Sequence, residues 1–356
     1  MLRLYMSQAN KLPLAILLLL FVLPLFRASP LQLGDGTRTN STVFIKVMDD
    51  VEDVYCTDFY ETYAVKRDGS LWGTGKNLFV NGKRVSSDTF IKLMDDVLFF
   101  DGTLLLRKDG SLWSLPSGKT EFIPIARYVK KCSGSFYIKN DNTLWGYGYY
   151  DRNGRFRTVD GNGKNEICEP VRFGSGVKDL YSSDGTHLQI VTSDVNGAFF
   201  EMRIKDYNKG RSDNFDLELK HMHVRSLGEG HFFITQDDEL FGFGFASYGT
   251  LGTGKLKDGQ WKMPITKVMD DVKSVSTGIS ATLIVKNDGA LYGCGGAYRW
   301  YSGELGLGNL NAYWTPQYIM SGVVKASVGN QFSAIIKEDG SLWTCGVNNE
   351  DDVCQM

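Results

Sequence analysis

The sequence predicts an all-β fold, a seven-bladed β-propeller closed by its N-terminal strand, which completes the last blade. Three observations carry that expectation: a recurring pentapeptide, a second recurring strand-and-turn segment, and the way the two ends of the chain complement each other. The pentapeptide stands as Asp68-Gly69-Ser70-Leu71-Trp72, Asp109-Gly110-Ser111-Leu112-Trp113, Asp141-Asn142-Thr143-Leu144-Trp145, Asp288-Gly289-Ala290-Leu291-Tyr292 and Asp339-Gly340-Ser341-Leu342-Trp343. Asn196-Gly197-Ala198-Phe199-Phe200 and Asp237-Asp238-Glu239-Leu240-Phe241 keep the same slots, which makes seven. Units of a few strands each, repeated at this spacing, are the signature of a propeller.

Each copy reads as a β-hairpin. An apolar, β-branched run such as Ala281-Thr282-Leu283-Ile284-Val285 suits a buried strand. Asn287-Asp288-Gly289 supplies a turn, with glycine where positive φ is needed. Leu291-Tyr292-Gly293-Cys294-Gly295 then leads out. Its one large aromatic wedges between neighbouring units, and the small residues after it let backbones approach.

Taken in order, the chain starts with Arg3 and Lys11 ahead of an apolar run at residues 12–26, followed by Ala28 and Ser29. That is the layout of a secretory signal peptide, so residues 1–29 are expected to be a signal peptide or, if uncleaved, an N-terminal membrane anchor. Export makes the protein secreted or held at the cell surface. Residues 30–42, polar and glycine-rich, read as a linker, and residues 43–356 as the propeller.

From Val43 the second segment appears. Ile45-Lys46-Val47-Met48-Asp49-Asp50-Val51 is echoed by Ile91-Lys92-Leu93-Met94-Asp95-Asp96-Val97 and by Thr266-Lys267-Val268-Met269-Asp270-Asp271-Val272. The paired carboxylates recur at equivalent positions, which marks solvated turns rather than a metal site. After Trp343 the remaining residues hold no such strand and turn, while the chain begins with one. The N-terminal strand therefore completes the last blade and leaves no sheet edge unpaired.

Strand, Asp-Gly-x-Leu-Trp and Gly-x-Gly are followed by loops such as Gly303-Glu304-Leu305-Gly306-Leu307-Gly308-Asn309 and Gly249-Thr250-Leu251-Gly252-Thr253-Gly254, then by Pro316 or Pro264. In this pattern the chain resembles the regulator of chromosome condensation repeat family, over residue 43 to the C-terminus. Gly228-Glu229-Gly230-His231 and, more loosely, Asp184-Gly185-Thr186-His187 match the family's Gly-x-x-His. The resemblance implies seven blades. It also implies, as one alternative, guanine-nucleotide exchange on a small GTPase. The apparent export signal points instead to secreted bacterial members, which use one aromatic-rich face to bind another protein.

Composition narrows the function classes. Lys plus Arg is 39 against 41 Asp plus Glu, a formal net charge of −2, with no basic stripe or tail along the sequence, so no nucleic-acid partner is expected. His221-Met222-His223 would put two imidazoles on one strand face, but no third ligand is spaced to join them, and neither metal nor cofactor is expected. Of six cysteines, Cys345 and Cys354 have the spacing of a possible disulfide, whereas Cys56, Cys132 and Cys294 sit in repeat slots that suit small buried groups.

No nucleophile has a base beside it in an identifiable motif, so the chain reads as a non-enzyme. A propeller enzyme with an inter-blade pocket stays open as a further alternative. What remains is surface. Tyr149, Tyr150, Arg152, Tyr248, Trp261, Arg299, Trp300, Tyr301 and Trp314 fall outside the repeated aromatic slot. Aromatic and arginine side chains in loops suit a protein interface, with a glycan as the second possibility. The expectation is a monomeric, exported, non-catalytic scaffold that binds its partner on one propeller face.

Overall fold

The computed structural model describes residues 31–57, 60–115, 121–150, 156–158, 170–182, 187–193, 197–203, 216–221, 223–228, 231–244, 247–254, 263–296 and 303–348. Seven four-stranded antiparallel sheets follow one another along the chain and stand in a ring. Blade 1 is Val51–Cys56, Glu61–Lys66, Leu71–Val80 and Lys83–Met94. Blades 2 to 6 occupy residues 97–126, 129–174, 177–221, 224–269 and 272–320. Blade 7 is Val323–Val328, Phe332–Lys337, Leu342–Gly346 and, from the other end of the chain, Ser41–Met48. First strands of successive blades pack together, so they form the inner wall of the ring, while the fourth strands are the most exposed.

One hydrogen bond recurs at every junction. The first residue of each blade is a buried valine whose N–H donates to the hairpin turn of the blade before it. The pairs are Val97 to Gly69 (3.0 Å), Val129 to Gly110 (3.0 Å), Val177 to Asn142 (3.0 Å), Val224 to Gly197 (2.9 Å), Val272 to Asp238 (2.8 Å) and Val323 to Gly289 (3.0 Å). Val51 to Gly340, at 2.9 Å, closes the ring with the same bond. The residue before each valine has positive φ: Asp50, Asp96, Tyr128, Gly176, His223, Asp271 and Gly322. Asp and Gly tolerate that conformation with least strain, which explains the second Asp of each repeated pair.

The N-terminal strand completes blade 7 as predicted, with Ile45 opposite Thr344 and Lys46 opposite Trp343. The stretch expected to be a linker is different. Leu31, Gln32 and Leu33 are buried, and the Thr62, Thr74 and Thr344 hydroxyls donate to the carbonyls of Gln32, Leu31 and Leu33 at 2.7–2.8 Å. Asn348 binds Asp35 and Thr37 through Nδ2 and Asn40 through its backbone N–H.

The reason is that Gln32-Leu33-Gly34-Asp35-Gly36 is another copy of the loop at residues 304–308. Gly34 and Gly36 have φ of 71° and 76°, and Gly306 and Gly308 have 69° and 75°. Each loop clasps the fourth strand of the next blade. Gly254 N–H donates to Trp314 O of blade 6, Gly308 to Thr42 of blade 7, and Gly36 to Asp88 of blade 1. Blade 7 therefore takes both its clasp and its outer strand from the N-terminal side.

The repeated aromatic does wedge between blades: Trp113 packs on the blade 1–2 core, Trp145 on the blade 2–3 core and Trp343 on the blade 6–7 core. Its slot also carries a relay. Trp72, Trp113, Trp145 and Trp343 each donate the indole N–H to the hydroxyl two residues earlier, at 2.7–2.9 Å. The Asp two residues before that hydroxyl accepts from the backbone N–H there, as Asp68 does from Ser70 at 2.8 Å. Where Ala198, Glu239 or Ala290 replaces the hydroxyl, the aromatic is Phe200, Phe241 or Tyr292, which has no indole N–H to satisfy.

Candidate partner-binding face

Strands alternate in direction within a blade, so the ring has two unlike faces. Hairpin turns and blade-to-blade turns emerge on one, the turn face. Connections between first and second strands, and between third and fourth, emerge on the other, the insert face. The second kind holds all the long connections, among them the extra hairpin Gly148–Tyr150 with Phe156–Thr158.

Tyr149 and Tyr150 lie on that hairpin, their backbones opposite Arg157 and Phe156. Arg152, Trp261, Arg299, Trp300 and Tyr301 lie outside the described residues. Tyr248 sits in the turn Ser247–Gly249 with φ of 57° and is exposed. Trp314 is half-buried on Tyr313–Met320 of blade 6. These two come from different blades and share one neighbourhood: a Cβ built on Gly249 would lie 3.4 Å from the Trp314 ring, and Gly254 donates to Trp314 O.

Three aliphatic side chains that sequence reasoning passed over join this face. Ile279 in the first connection of blade 6, Leu310 in its long connection and Val43 at the start of the closing strand are 43%, 45% and 49% exposed. Val43 also pairs with Leu307, so Leu310 and Val43 belong to one clasp. Single aliphatics among polar residues give no periodic signal. The available clue was position: Ile279 occupies a connection where blade 7 carries Asn330.

Beneath the face lie two buried carboxylates. Glu304 accepts from Ser280 Oγ at 2.6 Å. Glu61, 6% exposed, accepts from Thr57 Oγ1 at 2.6 Å. Burial pushes the Glu61 carboxyl up to about 7, against the opposing pull of that hydrogen bond. The thiols are held away from reactivity. Burial drives Cys294 up to about 12 and Cys132 and Cys345 well above the ordinary thiol range, which suppresses the thiolate.

Cys345 is a free thiol that donates to Glu304 O at 3.4 Å, and Cys294 does the same to Thr250 O at 3.5 Å. Through that contact Cys345 fastens the blade 6 clasp, and Cys354, its partner in the possible disulfide, lies outside the described residues. The histidine pair also separates. His221 packs on the rings of Phe233 and Phe241, while His223 is the positive-φ residue of the following turn. Among the described residues no group of three or more His, Cys, Asp or Glu is placed to hold a metal, and no helix is long and apolar enough to cross a membrane.

No family model matches the chain. The E3 ubiquitin-protein ligase HERC2 of Homo sapiens is 32% identical over 123 residues, which is 32% of this chain and 2% of the ligase. The secretion-regulating guanine nucleotide exchange factor of Bos taurus is 29% identical over 116 residues, 31% of this chain and 24% of that protein. The matched stretch is thus a small part of either relative. Prp20p from Saccharomyces cerevisiae, whose crystal structure was described with its binding properties to Gsp1p and histones, superposes with a TM-score of 0.61 over 85% of this chain and 84% of its own, at 14% identity. In its repeat and its seven-bladed ring the chain is similar to proteins of the regulator of chromosome condensation repeat type. Within this chain, the frame repeated from blade to blade is the turn-face junction, and what differs between blades is the insert face.

Proposed function

We propose that the protein is an exported, non-catalytic binding scaffold whose insert face docks a protein partner. The observation that carries the reading is the segregation of features. Every long connection emerges on one face, beside the exposed Tyr248, Ile279, Leu310 and Val43, while the opposite face, although it exposes Leu98, Tyr128 and Tyr318, is built of short repeated turns, several with a lysine paired to an aspartate, as Lys46 is to Asp49 and Lys267 to Asp270. Exposed apolar and aromatic side chains beside long connections are where binding energy concentrates. Export rests on the layout of residues 1–29. The test combines the mass of the N-terminus of the cell-free product with partner capture from the extracellular medium. Tyr248→Ala with Leu310→Ala and Trp300→Ala should remove capture and leave the melting temperature within about 2 °C. Capture that survives all three substitutions refutes the docking face.

A second reading has its own support. The similar bovine protein is named as a guanine nucleotide exchange factor, and an X-linked retinitis pigmentosa GTPase regulator of Homo sapiens is 30% identical over 136 residues. If the product keeps Met1 inside the cell and accelerates release of labelled GDP from small GTPases, exchange replaces the scaffold reading.

A further inference from the structure

The turn face is electrically divided, and we infer that its basic half, on blades 2 to 4, is a docking site for an acidic segment of another protein. Arg107, Arg127, Lys130, Lys139, Arg172 and Lys178 all lie at the turn-face ends of these three consecutive blades. Lys130 and Lys178 are the second residues of adjacent inner strands, Val129–Ser133 and Val177–Tyr181.

Asp96 borders the patch, its backbone carbonyl accepting from the Lys108 N–H at 3.0 Å, and Asp194 lies outside the described residues; among the described residues the exposed carboxylates within the patch are Asp109 and Asp141. Each is already engaged by its own turn, through Ser111 and Thr143, and those hydrogen bonds, with the hydroxyl's first, hold both well below the usual carboxylate range. Arg107 and Arg127 lower Asp109 a little further through charge, as Lys139 and Arg172 do Asp141. Two cations thus act on each anion, and among the described residues Lys130 is held by the neutral Asn142 amide. The other local carboxylate, Asp179, is buried and taken by Lys131. Tyr128, 69% exposed at the turn between blades 2 and 3, adds an aromatic ring among the arginines.

The rest of this face has the opposite sign. The Asp49-Asp50, Asp95-Asp96 and Asp270-Asp271 turns serve blades 7, 1 and 6, and Asp237-Asp238-Glu239 lies on blade 5. A long polyanion laid on the basic half would run onto these carboxylates. A short acidic peptide would not, and like-charge contact is costly enough to select between them. The cations are strung across residues 107–178, with only the short clusters Arg107-Lys108 and Arg127-Tyr128-Val129-Lys130-Lys131 adjacent in sequence, and the ring brings the rest beside them. The proposal concerns the face opposite the proposed insert-face site and stands or falls separately from it.

A fluorescein-labelled decaglutamate peptide, titrated into the full chain at 50 mM and 300 mM salt, tests it. Binding should weaken roughly tenfold or more across that range, as screened charge contacts do. Arg127→Glu, Lys130→Glu, Arg172→Glu and Lys178→Glu together should abolish it, and Arg127→Gln with Lys178→Gln should weaken it several-fold. Lys46→Glu with Lys267→Glu, on the acidic half, should leave it unchanged. Binding that is absent at low salt, or equal in the fourfold variant, overturns the site. Tighter binding of a ten-nucleotide single-stranded DNA of the same charge overturns the choice of an acidic protein.

Discussion

The two faces of the ring are made by the same strands, yet one is nearly invariant from blade to blade and the other differs at almost every blade. On the turn face seven valines make seven equivalent bonds, each preceded by a residue with positive φ. There is no freedom there because a hairpin turn must reach the next blade's inner strand at fixed distance, and a buried N–H left without its acceptor costs about 1–3 kcal/mol. On the insert face the connections only have to return to the outer strand. Their length and side chains are open to variation, which is where a binding surface can be built without disturbing the ring.

The largest way to break this comparison is at the one junction made from both ends of the chain. A chain starting at Val51 lacks the clasp and outer strand of blade 7 and exposes the core of Leu283, Val323 and Ile335 beneath Phe44. It should show no cooperative thermal transition. A chain starting at Thr39 keeps the strand but loses the clasp, and should melt cooperatively at a lower temperature than one starting at Leu31. Equal melting of the last two would show that the buried segment at 31–36 contributes nothing to closure.

The comparison sharpens at Glu61, where the insert face meets the blade 1 core. Its carboxyl, at about 7 in the folded chain against 4.5 unfolded, is protonated in both states below about pH 4.5 and contributes no penalty there. Between pH 4.5 and 7 ionisation favours the unfolded chain, so stability falls, and above 7 the loss is complete. Glu61→Gln should remove that fall, gaining up to about 3 kcal/mol at pH 8 relative to the parent and little at pH 4.5, as read from denaturant titrations. Parallel pH profiles for the two proteins would contradict the burial assigned to this carboxylate.

The smallest effect probes the turn face. Ser341→Ala strips the Trp343 indole of its acceptor and should cost about 1 kcal/mol. Adding Trp343→Tyr reproduces the Ala290 and Tyr292 pair of blade 6, and a double-mutant cycle should show coupling of several tenths of a kcal/mol. Strict additivity would mean the relay is incidental.

The seven hairpins and the closing strand were legible in the sequence because Asp-Gly-x-Leu-Trp encodes a turn, a core leucine and an aromatic wedge in adjacent positions. The clasp at 31–36 was not read, although its two sister loops were. It precedes any hairpin, and its glycines looked like linker composition until their φ values matched those of Gly306 and Gly308. On the candidate face, Tyr248 and Trp314 were nominated as loop aromatics, but their convergence depends on a blade-to-blade contact that no local pattern reports. Ile279 and Leu310 were invisible for the reason that exposure is a property of the ring rather than of the residue.

Because Ser41 meets Gly346, the outer strand of blade 7 has no partner until almost the whole chain exists. At a synthesis rate of about 5–20 residues per second, that wait lasts on the order of 15 s to a minute. During it, a row of unpaired backbone groups from Ser41 to Met48 is offered to any other sheet edge, and the six nascent blades form an open arc with two unmated sides. The newborn protein is therefore most in need of a chaperone at the moment when it is nearly finished, and a second nascent copy supplying its own strand to the gap would yield an exchanged dimer in place of a ring.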